Sequence, residues 1–381
     1  MDRTELDAYL DQQFPTRREM LYANHAAISP WPRAARDAVE GFARENVERG
    51  PMGVSQWLLR ESRLRRTIAG FLNTDEDDVA FLQNTSEGIN LVAAGIDWQA
   101  GDNVVTACGE YVSNRLPWLA LAGRGVKIRE VDIRATADPE AALLNAMDAR
   151  SRVLTVSSVQ WNDGLRLDLE RLGKTCKDSD ALFFVDAIQQ FCALQLDVRA
   201  CHIDALSAGS HKWQMGPEGI GVFYASPAAR DTLQLHRHGW RMLEQPYQFD
   251  HRSLDAAQSA RRFEIGSPNT LGQAALAGAL SVFEKLGIET TESSVLANTD
   301  QLSSGLSSIP GVRLHSPHES RRRSGIVAFS SGSATPAQLR SRLSRKGLFA
   351  AVRGDALRLS PHFYQAGENI EKMLGVIEDC I

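Results

Sequence analysis

The strongest constraint on the fold is a regular alternation of short apolar runs and helix-like segments between residues 78 and 224. The apolar runs predict strands at 79–82, 103–106, 127–131, 152–157, 182–186, 204–207 and 219–224. The segments between them predict helices at 87–95, 117–121, 139–149 and 167–178. Strands that alternate with helices in this way form parallel sheets that are covered on both faces. The sequence therefore predicts an α/β fold with a mainly parallel sheet sandwiched by helices.

A smaller unit is predicted to follow this sheet. After a polar and partly irregular stretch at 227–262 and a long helix at 273–286, the chain reads as a helix and then as further short elements. These are strands at 312–315, 325–330, 349–352 and 356–360, and helices at 336–346 and 369–380. Such a mixture is typical of a small α+β domain. We therefore expect a large domain at 16–285 and a small C-terminal domain at 286–381, with residues 1–15 packed near the small domain.

Composition narrows the class of protein. The chain has 381 residues, of which 43% are hydrophobic and 23% charged, as in ordinary globular proteins. A net charge of −5 gives no nucleic-acid footprint, and no apolar run approaches the length that spans a membrane. The five cysteines are scattered and form no CxxC pair, which argues against a disulfide framework or a zinc site and predicts reduced thiols in the cytoplasm. They are Cys108, Cys176, Cys192, Cys201 and Cys380.

Lys212 is the residue with the clearest chemical meaning. It lies in a turn between two predicted strands, among small and polar residues. This setting suits a partly desolvated amine that forms a Schiff base with an aldehyde. Asp186 ends another predicted strand, and ligands of such sheets gather at the carboxyl ends of strands. A lysine that carries the aldehyde and an acid that keeps the pyridine nitrogen protonated are what pyridoxal phosphate needs to act as an electron sink.

A phosphate seat is predicted in the segment Gln-Asn-Thr-Ser-Glu-Gly-Ile-Asn at 83–90, which follows a strand and opens an apolar helix. Thr85 and Ser86 supply hydroxyl groups, and the start of the helix supplies free N–H groups and the positive end of its dipole. The same residues also fit a helix N-cap with Glu87 in the first turn. We expect both roles together.

These motifs, in this order, resemble the class V aminotransferases among the fold-type I enzymes that depend on pyridoxal phosphate. The group also holds cysteine desulfurases, kynureninase and isopenicillin-N-epimerase-like proteins. The resemblance extends from residues 22–27 to residues 358–364 and so covers nearly the whole chain. It implies the fold-type I architecture, pyridoxal phosphate as cofactor, and a homodimer with the active site at the subunit interface.

The resemblance also implies roles for residues around the cofactor. Tyr111 matches the residue that stacks on the cofactor ring, where desulfurases usually have histidine; the alternative is a buried core tyrosine. Asp186 and Gln189 match the family's Asp-x-x-Gln, in which the acid pairs with the pyridine N–H and the amide bonds the ring hydroxyl oxygen. His211 matches a phosphate contact.

Other matching positions point to the phosphate and the substrate. Relatives often place a serine three residues before the lysine, where this chain has glycine, so Ser207 or Ser210 takes that place. Ser267 matches a residue that contacts the phosphate bound by the other subunit; the alternative is a Gly-Ser-Pro-Asn turn before a helix. Arg358 matches the arginine that clamps the substrate α-carboxylate, which a planar guanidinium binds through two parallel hydrogen bonds.

Two further residues, Gln160 and His25, are expected near the substrate. Gln160 lies in a segment that departs from the desulfurase pattern and resembles the kynureninase and epimerase branches. His25 follows the strand-like start of the chain; a lone histidine is more often structural.

The reaction that this resemblance implies begins with removal of the Cα proton of an amino acid by Lys212. Transamination is the first hypothesis, with Lys212, Asp186 and Tyr111 as the catalytic set. A lyase (a C–S lyase or a kynureninase-like enzyme) or an epimerase is the alternative, and a cofactor-binding scaffold without turnover would not need Arg358. Desulfuration through an enzyme persulfide is disfavoured, because residues 341–357 contain no cysteine.

Overall fold

The structure is a computed structural model that describes residues 2–248, 250, 252–365 and 367–381. The helices are α1 (Arg3–Gln13), α2 (Thr16–Glu19), α3 (Arg33–Arg49), α4 (Val54–Leu72), α5 (Thr85–Gly95), α6 (Leu116–Leu119), α7 (Pro139–Asn145), α8 (Leu169–Lys177), α9 (Pro227–Thr232), α10 (Thr270–Leu286), α11 (Ile288–Ser308), α12 (Pro336–Arg345) and α13 (Gly367–Glu378). Among the described residues, none of these helices is both long enough and apolar enough to cross a membrane.

The strands are β1 (Leu21–Tyr22), β2 (Val79–Leu82), β3 (Asn103–Ala107), β4 (Lys127–Val131), β5 (Ser151–Ser157), β6 (Leu182–Asp186), β7 (Ala205–Gly209), β8 (Gly221–Ala225), β9 (Val312–Leu314), β10 (Val327–Ser331), β11 (Leu348–Phe349), β12 (Ala351–Arg353) and β13 (Ala356–Leu359). The central sheet has the order β2-β8-β7-β6-β5-β3-β4. In this sheet β8 runs antiparallel to both of its neighbours, β2 and β7, and the other four strand pairs are parallel. The predicted mainly parallel sheet is therefore confirmed.

Burial explains why these runs form inner strands. Phe183 and Phe184 are consecutive residues of β6, so their side chains point to opposite faces of the sheet, and both are fully buried. Phe183 packs in a core with Leu172 of α8, and Phe184 in a core with Val92 of α5. Helices therefore cover both faces. The strand predicted at 219–224 begins only at Gly221, as β8. Gly219 has a φ of 79°, a left-handed conformation that favours glycine and interrupts a strand.

The small domain is built on an antiparallel sheet with the order β12-β13-β10-β9. Its core contains Phe329, Leu343 and Met373. The predicted strand at 349–352 is divided in two: β12 joins this sheet, whereas β11 pairs in parallel with β1 from the N-terminal region. The expected combination of an α/β sheet and a small α+β unit is confirmed.

A buried ion pair connects the two parts of the fold. The two terminal guanidinium nitrogens of Arg322, Nη1 and Nη2, donate to the carboxylate of Glu140 in α7, and the bond from Nη2 is 2.6 Å long. A second link runs from Arg358 of β13 to the backbone oxygen of Trp161, shortly after β5. These contacts hold the β12–β13 hairpin over the carboxyl ends of the central strands.

Candidate active site

Lys212 lies in a tightly bonded turn between β7 and β8. The Ser210 N–H donates to Ile220 O, and the Met215 N–H donates to the carbonyl of Lys212 itself, both at 3.0–3.1 Å. The Gln214 amide also donates to the backbone oxygens of Ala208 and Gly209. These bonds fix the backbone that carries Lys212, whose side chain is buried. Burial lowers the pKa of Lys212 to about 8, although the neighbouring Asp186 raises it. The ammonium form still predominates at pH 7, but far more neutral amine is available than for an ordinary lysine.

Asp186 lies at the carboxyl end of β6, directly beside β7 in the sheet register. It is buried and accepts a hydrogen bond of 3.0 Å from the Ile188 N–H. Burial raises the pKa of the Asp186 carboxyl, while the Ile188 bond and the charge of Lys212 lower it. A buried carboxyl of this kind is stabilised in its charged form when a cationic ring nitrogen lies beside it.

The N-terminus of α5 lies against the end of β7. Asn84 is the N-cap, and its side chain accepts from the Glu87 N–H at 2.9 Å. Thr85 and Ser86 are therefore the first helical residues, and capping does not use their hydroxyl groups. Thr85 Oγ1 instead accepts a 2.8 Å bond from Gly209 N, and Ser86 Oγ donates to Ser113 Oγ at 2.8 Å.

Because Gly209 has no side chain, the space between the start of α5 and His211 is not filled. A Cβ atom there would lie 3.2 Å from the His211 ring and 3.3 Å from Thr85 Oγ1. The absence of a side chain thus keeps Thr85 and His211 close around a small polar cradle. Of the two candidate serines, Ser210 donates to Pro217 O, whereas Ser207 Oγ is buried and has no hydrogen-bond partner among the described residues.

Tyr111 stands over the lysine. Lys212 Nζ lies 5.5 Å from the centre of the Tyr111 ring, which is 40% exposed and therefore not a core side chain. Trp161 meets the same ring edge-on at 5.6 Å and donates from Nε1 to Gly109 O at 2.9 Å. An aromatic wall with a lysine beneath it is a suitable place for a flat cofactor ring.

Glu110 is a buried acid that the sequence did not single out. Its carboxylate accepts from the Ser157 backbone N–H at 2.6 Å, from the Ser157 hydroxyl, and from Gln160 Nε2 at 3.0 Å. Burial raises the pKa of Glu110 in spite of these bonds. Glu110 therefore positions Gln160 beside the end of β5, and the Gln160 Oε1 atom is left buried and without a partner in the part of the chain that the structure describes.

Gln189 and His25 lie beside the site with their polar atoms engaged. Gln189 Oε1 accepts from Trp213 Nε1 at 2.9 Å, and its amide donates to Ala26 O at 3.1 Å. His25 Nδ1 and Nε2 contact Ser360 O and the Tyr364 hydroxyl, each at 2.7 Å. The structure thus gives both side chains protein partners, and the expected contacts with the cofactor and substrate stay predictions.

Arg358 is the most informative group opposite the lysine. It is almost wholly buried, and its Nη1 donates to Trp161 O. Its Nε and Nη2 have no hydrogen-bond partner among the described residues. Burial lowers the pKa of Arg358 to about 9, which leaves the guanidinium charged at neutral pH. A buried cation with unsatisfied donors is costly, so this arrangement fits a ligand carboxylate.

Ser267 lies in the turn that precedes α10. It is exposed and lines a small cavity of about 190 Å³ together with Gln83, Glu87 and Gly219. Within one chain, the structure therefore brings together the lysine, the acid, the helix start, the aromatic wall and the arginine. The cavity places Ser267 near Glu87 in the first turn of α5, and its expected contact with a phosphate stays a prediction.

Two buried histidines next to the site predict a pH-dependent stability. His362 Nδ1 accepts from the Phe363 N–H at 2.8 Å, and its Nε2 lies 3.0 Å from Trp213 O, so the ring is held neutral. Burial lowers the pKa of His362 to about 3 and also lowers the pKa of His25. The unfolded chain then binds more protons below pH 6.5, so stability falls as the pH falls. We expect each histidine to remove about 1 kcal/mol between pH 6.5 and 5.5.

Urea unfolding of the wild type and of His362→Gln at both pH values checks this expectation. The variant should lose less stability on acidification than the wild type, by about 1 kcal/mol. Equal losses in the two proteins would show that His362 is not held neutral in the fold. His25→Asn is the second variant if the first does not fold.

Residues 21–361 match the family described as aminotransferase class V. Among curated proteins, the chain is 29% identical over 390 residues to a probable cysteine desulfurase of Pyrococcus abyssi, covering 97% of this chain and 96% of that protein. It is also 29% identical over 393 residues to a probable cysteine desulfurase of Methanothermobacter thermautotrophicus, with the same coverages.

Two solved structures share the fold. An apo cysteine desulfurase from Thermococcus onnurineus matches with a TM-score of 0.85 and 26% identity, over 97% of this chain and 96% of that chain. The cystine C–S lyase C-DES, in complex with its product cysteine persulfide, matches with a TM-score of 0.90 and 23% identity, over 96% of this chain and 99% of that chain.

Proposed function

This chain belongs to the class V aminotransferase family, and from that premise we propose that it is a pyridoxal-phosphate-dependent lyase that breaks the Cβ–S bond of a sulfur-containing amino acid. The support comes from three features: a site that fits the cofactor, a carboxylate clamp, and a hairpin that differs from what a persulfide-forming desulfurase needs.

The residues present fit pyridoxal phosphate. Lys212 is a desolvated amine, Asp186 is a buried carboxyl in need of a cation, and Tyr111 offers an aromatic face above them. Thr85, Ser86 and His211 surround the cradle left by glycine at the start of α5, where a phosphate would meet free N–H groups. When bound, the cofactor supplies an electron sink for negative charge that develops at Cα.

The remaining chemistry belongs to side chains of this protein. Arg358 holds the substrate carboxylate and so orients the bonds at Cα. Lys212 Nζ takes the Cα proton as general base. The electron pair of the broken C–H bond forms a double bond to Cβ as the Cβ–S bond breaks, and sulfur leaves with its bonding pair. Water then releases a keto acid and ammonia.

The observation that favours elimination is the short turn of the β12–β13 hairpin, which precedes Arg358. Only Gly354 and Asp355 join β12 to β13, and Gly354 has a φ of 57°, as a two-residue turn with glycine in first position requires. The curated relatives are named for removing sulfur from cysteine. In this chain the turn is tight, and residues 341–357 contain no cysteine that would accept sulfur. The sulfur group that leaves Cβ is therefore released as a product and is not kept on the protein.

Transamination is the second candidate. A buried lysine whose pKa is lowered toward neutrality, as that of Lys212 is, can return the Cα proton to the cofactor as well as remove it. This route needs no leaving group at Cβ, and it agrees with the description of the family. The two routes differ in their products and in their need for a keto acid.

The proposed enzyme is a homodimer. Side chains of Val47, Met52 and Leu59 on and between α3 and α4 are 61–86% exposed, which is unusual for apolar residues of one region. The predicted role of Ser267, a contact with the phosphate bound by the other subunit, also implies a dimer.

Product analysis tests the proposed reaction. Protein loaded with pyridoxal phosphate is incubated with L-cystine or S-substituted cysteines, without keto acid. We expect continuous release of pyruvate and ammonia in equal amounts, since both follow from elimination. Cys108→Ser, which alters the partly exposed thiol at the end of β3, should keep this rate.

Other products would overturn the proposal. A single turnover that stops until a keto acid is added, with a sulfur-containing keto acid as product, would establish transamination. Formation of alanine from L-cysteine, with sulfur held on the protein and lost in Cys108→Ser, would establish desulfuration through a persulfide.

A further inference from the structure

A second arginine shares the substrate-facing surface of the β12–β13 hairpin. The register pairs Ala351 with Arg358 and Arg353 with Ala356. Because cross-strand partners lie on one face and alternate residues return to it, Arg353 and Arg358 are diagonal neighbours on the same face. Diagonal neighbours of this kind stand roughly 7–8 Å apart. The hairpin therefore presents two guanidinium groups to the site.

Trp161 connects the two arginines to the lysine. The guanidinium of Arg353 lies 5.8 Å from the centre of the Trp161 ring, and the backbone oxygen of the same tryptophan accepts from Arg358. The Trp161 ring touches Tyr111, which in turn stands over Lys212. Arg358 is buried and Arg353 is half-buried. Arg353 thus lies nearer to solvent than Arg358.

The charge of Arg353 is not balanced by a protein acid. Its Nη1 donates to its neighbour's backbone oxygen, Val352 O, at 2.8 Å, and no carboxylate of the described residues lies in salt-bridge range of Arg353 or Arg358. After burial, the charge of Arg353 lowers the pKa of Arg358, and it also lowers the pKa of Lys212. Stacking on Trp161 alone would hold a guanidinium in place. It does not explain why two cations without a carboxylate partner share one face of the hairpin, since like charges at this separation repel.

We infer that Arg353 binds a second anionic group at the far end of the substrate side chain, so that the preferred substrate is an α-amino acid with an acid group at each end. Arg358 holds the α-carboxylate, and Arg353 holds a carboxylate or sulfonate carried beyond the sulfur. This inference rests on the proposed function, because it takes Arg358 as the α-carboxylate clamp.

A matched pair of substrates tests the inference. S-carboxymethyl-L-cysteine and its amide, S-carbamoylmethyl-L-cysteine, have the same shape and differ by one negative charge. The wild type should prefer the acid by about ten- to hundredfold in kcat/KM, the range expected for one charge-assisted hydrogen bond. In Arg353→Gln the preference should fall to about threefold or less. Arg313→Gln, at an exposed position of β9, should keep the wild-type preference.

Binding without turnover separates this inference from the proposed reaction. Lys212→Ala loaded with pyridoxal phosphate lacks the general base, so titration calorimetry with the same two compounds reports affinity alone. If the acid binds more tightly only when Arg353 is present, the inference holds even where no pyruvate forms. If both compounds yield pyruvate but the acid has no advantage, the proposed reaction stands and the inference is wrong.

Two further outcomes overturn it. An equal loss for acid and amide in Arg353→Gln would assign Arg353 to the stability of the hairpin. If Arg353→Gln folds and keeps the wild-type preference, Arg353 has no role in binding. Arg353→Met also removes the charge; it is the second variant if Arg353→Gln does not fold, and the same two outcomes apply to it.

Discussion

Replacing Lys212 with alanine is expected to reduce turnover of the cofactor-loaded enzyme by at least about a thousandfold. The substitution removes both the amine that meets the cofactor aldehyde and the general base at Cα, and a positioned base alone contributes about 10²–10⁴ in rate. The measurement is the rate of pyruvate release from a cysteine S-conjugate under saturating pyridoxal phosphate.

A second readout ties this loss to Lys212 itself. After borohydride reduction, the wild type should carry a covalently fixed cofactor on the peptide that contains Lys212, whereas the variant should carry none there. Lys212→Arg keeps a cation of similar reach but not a neutral amine, so it should be equally inactive. A variant that retains more than a tenth of the rate would show that another group removes the Cα proton.

Local pattern predicted much of the fold, because strands and helices are specified by nearby residues. β2, β4 and β6 have the bounds that their apolar runs predicted. The first and last residues of an element were harder to predict where the backbone conformation of a single residue decides where the element begins. Asn84, Thr85 and Ser86 are all good N-cap residues in sequence, yet only Asn84 has the extended φ of −170° and the side-chain bond of a cap.

Contacts between segments that are distant in the chain could not be predicted from local sequence patterns. Glu110 meets Ser157 and Gln160 across 47 and 50 positions, and only the sheet register brings β3 and β5 together. His25 obtains its partners from Ser360 and Tyr364, more than 330 residues away. The sequence could suggest that these polar residues mattered, but their bonding depends on packing that no local pattern encodes.

The same limit applies to substrate recognition. Arg358 stands out in sequence through the motif around it, whereas Arg353 has no motif. Its position becomes meaningful only through the β12–β13 register and the Trp161 ring, which comes from a segment nearly two hundred residues earlier. Residues that select among substrates are often placed by loops and hairpins of this kind, while the chemistry stays on the strand ends.

Replacing Arg358 with glutamine is expected to lower kcat/KM for α-amino acid substrates by about a hundred- to thousandfold. Two hydrogen bonds between a guanidinium and a carboxylate contribute about 1.5–3 kcal/mol each, and glutamine keeps at most one weaker bond. Arg358→Lys should recover only part of the loss, because an ammonium cannot form the planar pair. Steady-state kinetics on one substrate, with all proteins saturated with cofactor, measures both effects.

Two measurements on the Arg358 variant distinguish carboxylate binding from a structural role: its free energy of unfolding, and its activity on a substrate analogue that lacks the carboxylate. Since Nε and Nη2 of Arg358 lack partners among the described residues, the ligand-free variant should change its free energy of unfolding by less than about 1 kcal/mol. This is well below the roughly 3–4 kcal/mol that a hundred- to thousandfold loss of kcat/KM represents. An amine analogue without the carboxylate should react equally slowly with the wild type and the variant. If the variant lost as much activity on this analogue as on the amino acid, Arg358 would act on the fold of the site and not on the carboxylate.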